Sequence, residues 1–268
     1  MNVNINDLRS NSSRGFTLIE LLVVIAVISV LAGMMLPALA TPKSRSAAAG
    51  CLGNLRQLQN AWAMYLDDNN DVMLPNAPLG QPANESWCAS INGENWTISS
   101  DNTNFLVTSL IGPYISNNLA VLKCPADVVP SLNGQRVRSY SMNGQMGAIY
   151  TGNIATEYNP GFLIYINGSD LTCPTPASAF IFLDEHPGSI NDGFFQVSSA
   201  EPIFPDVPAS YMEGGCGFSF ADGHGEIHQW QTTNLMIPVL YGVSIHEAIS
   251  RSSNPDWLWF TTHAACPQ

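Results

Sequence analysis

The sequence predicts an α+β protein: one long N-terminal helix, hydrophobic and then amphipathic, packed on an antiparallel β-sheet head. Three observations carry this. Residues 16–39 read FTLIELLVVIAVISVLAGMMLPAL, with Glu20 as the one charge. From Ala48 to Leu66, apolar residues recur at three- and four-residue steps. Beyond residue 72, apolar runs are short and turn residues frequent. Charged residues make up 11% of the 268, against about 25% in an average soluble protein. Such a composition favours loop-rich β structure over salt-bridged helices.

Four segments follow from this. Residues 1–15 are a polar leader, residues 16–40 an apolar half-helix, residues 41–70 an amphipathic half-helix and residues 71–268 a β-rich head. The apolar run spans about 36 Å as a helix, enough to cross a bilayer core. Arg9 and Arg14 precede it, which directs the N-terminus to the cytoplasm and the head outside. Proline removes a helical hydrogen bond, so Thr41-Pro42 predicts a kink. Beyond it Ala48, Leu52, Leu55, Leu58, Trp62 and Leu66 form one stripe that packs the helix on its own head. The helix ends at Asp67-Asp68-Asn69-Asn70-Asp71. Ala179–Leu183 and Phe194–Val197 read as strands. Gly217–Ala221 and His224–Trp230 read as a hairpin turning at Asp222-Gly223, which pairs Ser219 with Glu226. The segment 73–170 gives the weakest pattern.

Charge and cysteines set limits on function. The net charge is −12, and five of the nine Lys and Arg precede residue 60. The head therefore has no basic stripe to neutralise phosphates, which excludes nucleic acid as a partner. The cysteines Cys51, Cys88, Cys124, Cys173, Cys216 and Cys266 form no C-x-x-C pair, and six of them allow 15 pairings. Beside an export-type N-terminus they predict disulfides. One pairing is singled out: Cys51, beside the packing residues Leu52 and Leu55, with Cys124, which would tie helix to sheet.

Glu20 decides between three readings of the apolar run. A plain anchor and a signal peptide cut at Ala38-Leu39-Ala40 both leave it without a use, although a carboxylate in an apolar helix costs a few kcal/mol. The third reading places cleavage before the run. Arg14-Gly15-Phe16-Thr17-Leu18-Ile19-Glu20 resembles the prepilin signal of type IV pilins and type II secretion pseudopilins. The resemblance implies that prepilin peptidase cuts after Gly15 and that Phe16 becomes a methylated N-terminus. It also implies that Glu20 pairs with the terminal amine of a neighbouring subunit, and that Pro37 is the helix-breaking proline common in pilins. The expected protein is a structural subunit, not an enzyme. It sits in the bacterial inner membrane with its head in the periplasm, then in a periplasmic or extracellular filament. Its partners are copies of itself or other pilins.

The body resembles one branch of bacterial prepilin-like proteins, named for a His followed by nine residues and Asp-Gly. Cys51-x-x-Asn54-Leu55-Arg56-Gln57-Leu58, Cys124-Pro125-Ala126-Asp127, Asp184-Glu185 and Phe220-Ala221-Asp222-Gly223-His224 carry that resemblance. Met212 stands where the motif has its His.

No cofactor is required, but three groups could hold Ca²⁺ or another divalent cation. Asp67, Asn69 and Asp71 place oxygens at alternate positions, as at the start of an EF-hand loop, without its Gly or its final Glu. Asp184, Glu185 and His186, with Asp192, follow a buried strand. Asp222 and His224 lie at the hairpin, where His224, Glu226 and His228 share a face; the two histidines, about 13 Å apart, cannot share an ion. The competing readings are a solvated helix end, a polar turn and a solvated strand face. The rival function is a membrane-tethered binding module holding a glycan or other polymer on exposed Trp87, Trp96, Trp257 and Trp259.

Overall fold

The first element among the described residues is a helix of 51 residues, α1 (Leu18–Asp68). The computed structural model describes residues 16–78, 86–88, 96, 103–132, 134–148, 158–245 and 247–268, with side chains for all of these except 34–43, 104 and 105. Gly15 and the rest of the leader lie outside the described residues. Helix continues through residues 37 and 42, so the two predicted half-helices are one element. A proline inside a helix removes one donor and need not end it. Two compact units divide at Lys43 and Ser44. Among the described residues, no helix is long and apolar enough to cross a membrane.

The second unit, residues 44–268, contains the head. In it the amphipathic stripe of α1 is buried at Leu55, Leu58, Trp62 and Leu66, with Cys51 on the same side. The helix stops where Asn70 and Asp71 take positive φ, 54° and 69°. Asn and Asp tolerate this left-handed conformation better than bulkier residues. A short α2 (Asn104–Val107) follows in the segment that the sequence left unreadable.

The sheet has five strands: β1 (Tyr140–Asn143), β2 (Phe180–Asp184), β3 (Phe194–Phe195), β5 (Gly215–Phe220) and β6 (Gly225–Gln229). Their order is β3-β1-β2-β5-β6, antiparallel except for the parallel β1–β3 pair. A separate two-stranded ribbon joins β4 (Ile203–Phe204) to β7 (Ala248–Ile249). The chain closes with helix α3 (Pro255–Ala264), capped by Asn254, whose side chain accepts from the Asp256 amide.

Two apolar layers flank the sheet. On one side Cys51, Leu55, Leu58 and Trp62 of α1 join Tyr140, Met142 and Phe182. On the other, Phe180, Leu183, Phe195, Phe218 and Phe220 meet Trp257 and Phe260 of α3. Phe260 is the hub, its ring 5.1 Å from that of Phe180, 5.7 Å from Phe195 and 5.2 Å from Phe204.

The hairpin register differs from the expected one by one residue. Ser219 pairs with Gly225 and Phe218 with Glu226, so three residues form the loop. The Gly223 amide donates to Phe220 O, and Gly223 takes φ 96°. A three-residue hairpin loop ending in a left-handed Gly is the next favoured choice after the two-residue turn.

Candidate functional site

The first candidate is the start of α1. Thr17 Oγ1 accepts from the Glu20 amide at 3.3 Å, while Glu20 Oε2 accepts from the Thr17 amide at 2.8 Å and its hydroxyl at 2.7 Å. This reciprocal pattern is a capping box, which satisfies donors that a helix start leaves unpaired. Thr17-x-x-Glu20 is the sequence signature of such a box. Around it every large apolar side chain from Phe16 to Leu31 is exposed, from 45% at Val24 to 80% at Leu18.

The second candidate is the buried acid–His group, whose members diverge. Asp184, Glu185, His186 and Asp192 are all buried. Successive residues at a strand end face opposite ways. Asp184 Oδ1 accepts from Tyr211 Oη at 3.4 Å. Glu185 instead accepts from Ser141 Oγ and from Ser189 Oγ at 2.8 Å. Burial, then the neighbouring Asp206, pushes the Glu185 carboxyl well up; burial and then Asp127 do the same to Asp184. Burial holds the His186 imidazole neutral, with its pKa at about 4. His186 Nδ1 accepts from the Gly188 amide at 3.0 Å, and Asp192 Oδ1 from the Phe194 amide at 2.7 Å. These four do not converge on one point. Among the described residues, one group of three possible ligands does: Cys51, Cys124 and Asp184, each fully buried.

Most of the remaining predicted ligands are held by hydrogen bonds. Asn69 Nδ2 donates to Tyr65 O at 2.7 Å, and Asp71 Oδ2 accepts from the Ser169 amide at 2.9 Å, tying the helix end to residues 168–169. Asp67 and Asp71 line one shallow cleft beside Trp62 and Leu66. Asp222 Oδ1 lies 2.6 Å from His224 Nδ1, and His224 stacks on Phe220 at 4.3 Å.

Cys51 is bridged to Cys124, with Cα atoms 4.6 Å apart, and Cys173 to Cys266, at 5.7 Å. Cys88 and Cys216 are buried and remain thiols. The first bridge joins α1 to the loop after Leu122; the second joins the C-terminal segment to the loop after Asp170.

Residues 10–36 match the prokaryotic N-terminal methylation motif. The N-terminal segment is prepilin-like. The chain is also similar to type II secretion system core protein G of Escherichia coli (strain K12), at 36% identity over 70 residues, which cover 26% of this chain and 48% of that protein. The match thus spans about half the relative's length. No solved structure matches.

The glycan-binding reading loses its residues. Trp87, Trp96 and Trp257 are buried, and their indole N–H groups donate to Gly193 O, Val243 O and Ser198 O. Trp259 is half-buried, stacked on His228 at 3.7 Å and on His263 at 4.3 Å. The expectation failed because aromatic content was read as surface in a head that uses it as core. On the strand face that the three residues share, His228 is stacked on Trp259 of α3, while His224 and Glu226 are exposed. That helix escaped the sequence reading, though Asn254-Pro255-Asp256 is a recognisable start: a cap, a proline at the first position and an acid in the first turn.

Proposed function

We infer that this chain is a filament subunit of the type IV pilus or type II secretion kind. Prepilin peptidase cuts it between Gly15 and Phe16, and Phe16 is methylated. Residues 16–40 hold it in the inner membrane with the head outside. It then joins copies of itself or other pilins in a periplasmic or extracellular filament. Its work is packing rather than catalysis.

One observation carries this reading: the exposed apolar surface from Phe16 to Leu31. A helix apolar all round belongs in a membrane or among other helices. Each Leu, Ile or Val removed from water contributes roughly 1.5–3 kcal/mol. Glu20 interrupts that surface and needs a charged partner once enclosed.

The test is mass spectrometry of the mature N-terminus. A first residue of Phe16 carrying one added methyl group is expected. A terminus at Thr41 would overturn the reading, because it is the product of a conventional signal peptide.

A further inference from the structure

We propose that the corner formed by Cys51, Cys124 and Asp184 is a redox-gated site for a thiophilic divalent cation such as Zn²⁺, in which metal and disulfide are alternative fastenings of α1 to the head. Three elements meet here: α1 brings Cys51, the loop after Leu122 brings Cys124, and the end of β2 brings Asp184. All three residues are fully buried, and both sulfurs and a carboxylate oxygen lie within 4.8 Å of one another.

A second observation points to a ligand. Asp184 Oδ2 has no hydrogen-bond partner among the described residues. The neighbouring Gly217 amide favours the charged form of the carboxyl. Oδ1 is held by the Tyr211 hydroxyl, so the carboxyl is oriented while its second oxygen is left with open lone pairs. An oriented, buried, half-satisfied carboxyl beside two sulfurs supplies two S donors and one O donor. Thiolates in such a set favour Zn²⁺ over Ca²⁺ or Mg²⁺, and three protein ligands leave a fourth position open.

In the bridged state the sulfurs are bonded to each other and offer no thiolate. Opening the bridge takes two electrons and two protons. A phosphine reductant supplies the electrons and, with water, leaves as the phosphine oxide, giving two thiols. Binding M²⁺ then displaces both thiol protons. A small-molecule disulfide takes two electrons from the two thiolates and leaves as two thiols with two protons from solvent; the Cys51–Cys124 bond closes and M²⁺ is released. A chain that reaches the periplasm before its bridge forms is the state that would hold the ion.

The experiment uses the full chain in detergent micelles, with Co²⁺ as the probe. After phosphine reduction without oxygen, one equivalent of Co²⁺ is expected to give a thiolate-to-metal charge-transfer band that Zn²⁺ abolishes. The oxidised chain, which keeps the Cys88 and Cys216 thiols, gives none. Neither does reduced Cys51→Ala/Cys124→Ala, which keeps the Cys173 and Cys266 thiols. Asp184→Asn is expected to weaken Co²⁺ at least about tenfold, the lower end of what losing even an outer-shell partner does. Absence of the band in the reduced chain overturns the proposal, as does an unchanged affinity in Asp184→Asn. Persistence of the same band in denaturing urea overturns it too, because an unfolded chain binds through cysteines without the corner.

Discussion

Thr17 and Glu20 hydrogen-bond each other at the first turn of α1, so the carboxylate expected to meet a neighbouring subunit already has an intramolecular use. The two uses are separable. Thr17→Ala removes the hydroxyl half of the cap and keeps the charge. Losing such a cap costs about 0.5–2 kcal/mol. Breaking one side of a buried ion pair costs about 3–5 kcal/mol, repeated at every subunit added. Sheared filament from Thr17→Ala should be reduced but present, from Glu20→Asp weakened, and from Glu20→Ala absent, with membrane-held monomer unchanged in all three. Equal losses in the two alanine variants would assign Glu20 to capping alone.

The acid core makes a pH prediction with a definite sign. Burial raises the folded pKa of Asp184; burial and then Asp206 raise that of Glu185, and burial and then Asp192 that of Asp206. A folded state that binds extra protons is favoured below the unfolded carboxylate value, about 4, and loses that advantage as pH rises towards the folded values. His186 acts oppositely: with its folded pKa at about 4, its contribution is present above about 6.5 and lost as pH falls between the two. Three carboxyls outweigh one imidazole, so urea unfolding free energy should fall from pH 5 to 7. Asp184→Asn mimics the protonated acid and should flatten the slope by up to about 1.4 kcal/mol per pH unit. An unchanged slope in that variant would mean Asp184 binds no extra proton on folding.

The Cys173–Cys266 bridge fastens the end of the chain. Around it the Leu163 amide donates to Cys266 O at 2.8 Å, and the Cys266 amide donates to Tyr165 Oη at 3.1 Å. Cys173→Ala/Cys266→Ala should lower stability by about 2–4 kcal/mol. It should also let protease cut after α3 before the sheet unfolds. Limited proteolysis with mass mapping checks the order of the cuts.

How far the sequence could be read depended on whether a residue's partners were local. The stripe from Ala48 to Leu66 was legible because helix period alone selects one face. β2 and the hairpin were legible from apolar runs and Asp222-Gly223, although the register slipped because the loop takes in Ala221. β1 was not legible. Tyr140–Asn143 gains its strand character from β2 on one side and β3 on the other, both distant in sequence. The predicted ligand set failed for a related reason. Asp184, Glu185 and His186 are neighbours in the chain, and that adjacency sends their side chains to different environments. Cys51, Cys124 and Asp184, spread over more than a hundred residues, are the ones brought together.

The last prediction concerns Met212, which stands where the resembled family has its His. A β-carbon built on Gly217 would lie 2.8 Å from Asp184 Oδ2 and 3.1 Å from Met212 Cε, so both atoms border the same small space. The methyl group of Met212 therefore occupies ground from which a donor could reach the unpartnered oxygen. Met212→Ala should cost about 2–5 kcal/mol, since it deletes a buried side chain and leaves a cavity. Met212→His deletes similar contacts but places a ring N–H near Oδ2, so it should cost less than the alanine. A double-mutant cycle with Asp184→Asn isolates that pair. Groups in contact typically couple by about 0.5–3 kcal/mol, and a favourable value in that range is expected. A coupling indistinguishable from zero, measured by urea unfolding of all four proteins, would show that an imidazole at 212 does not reach the carboxyl.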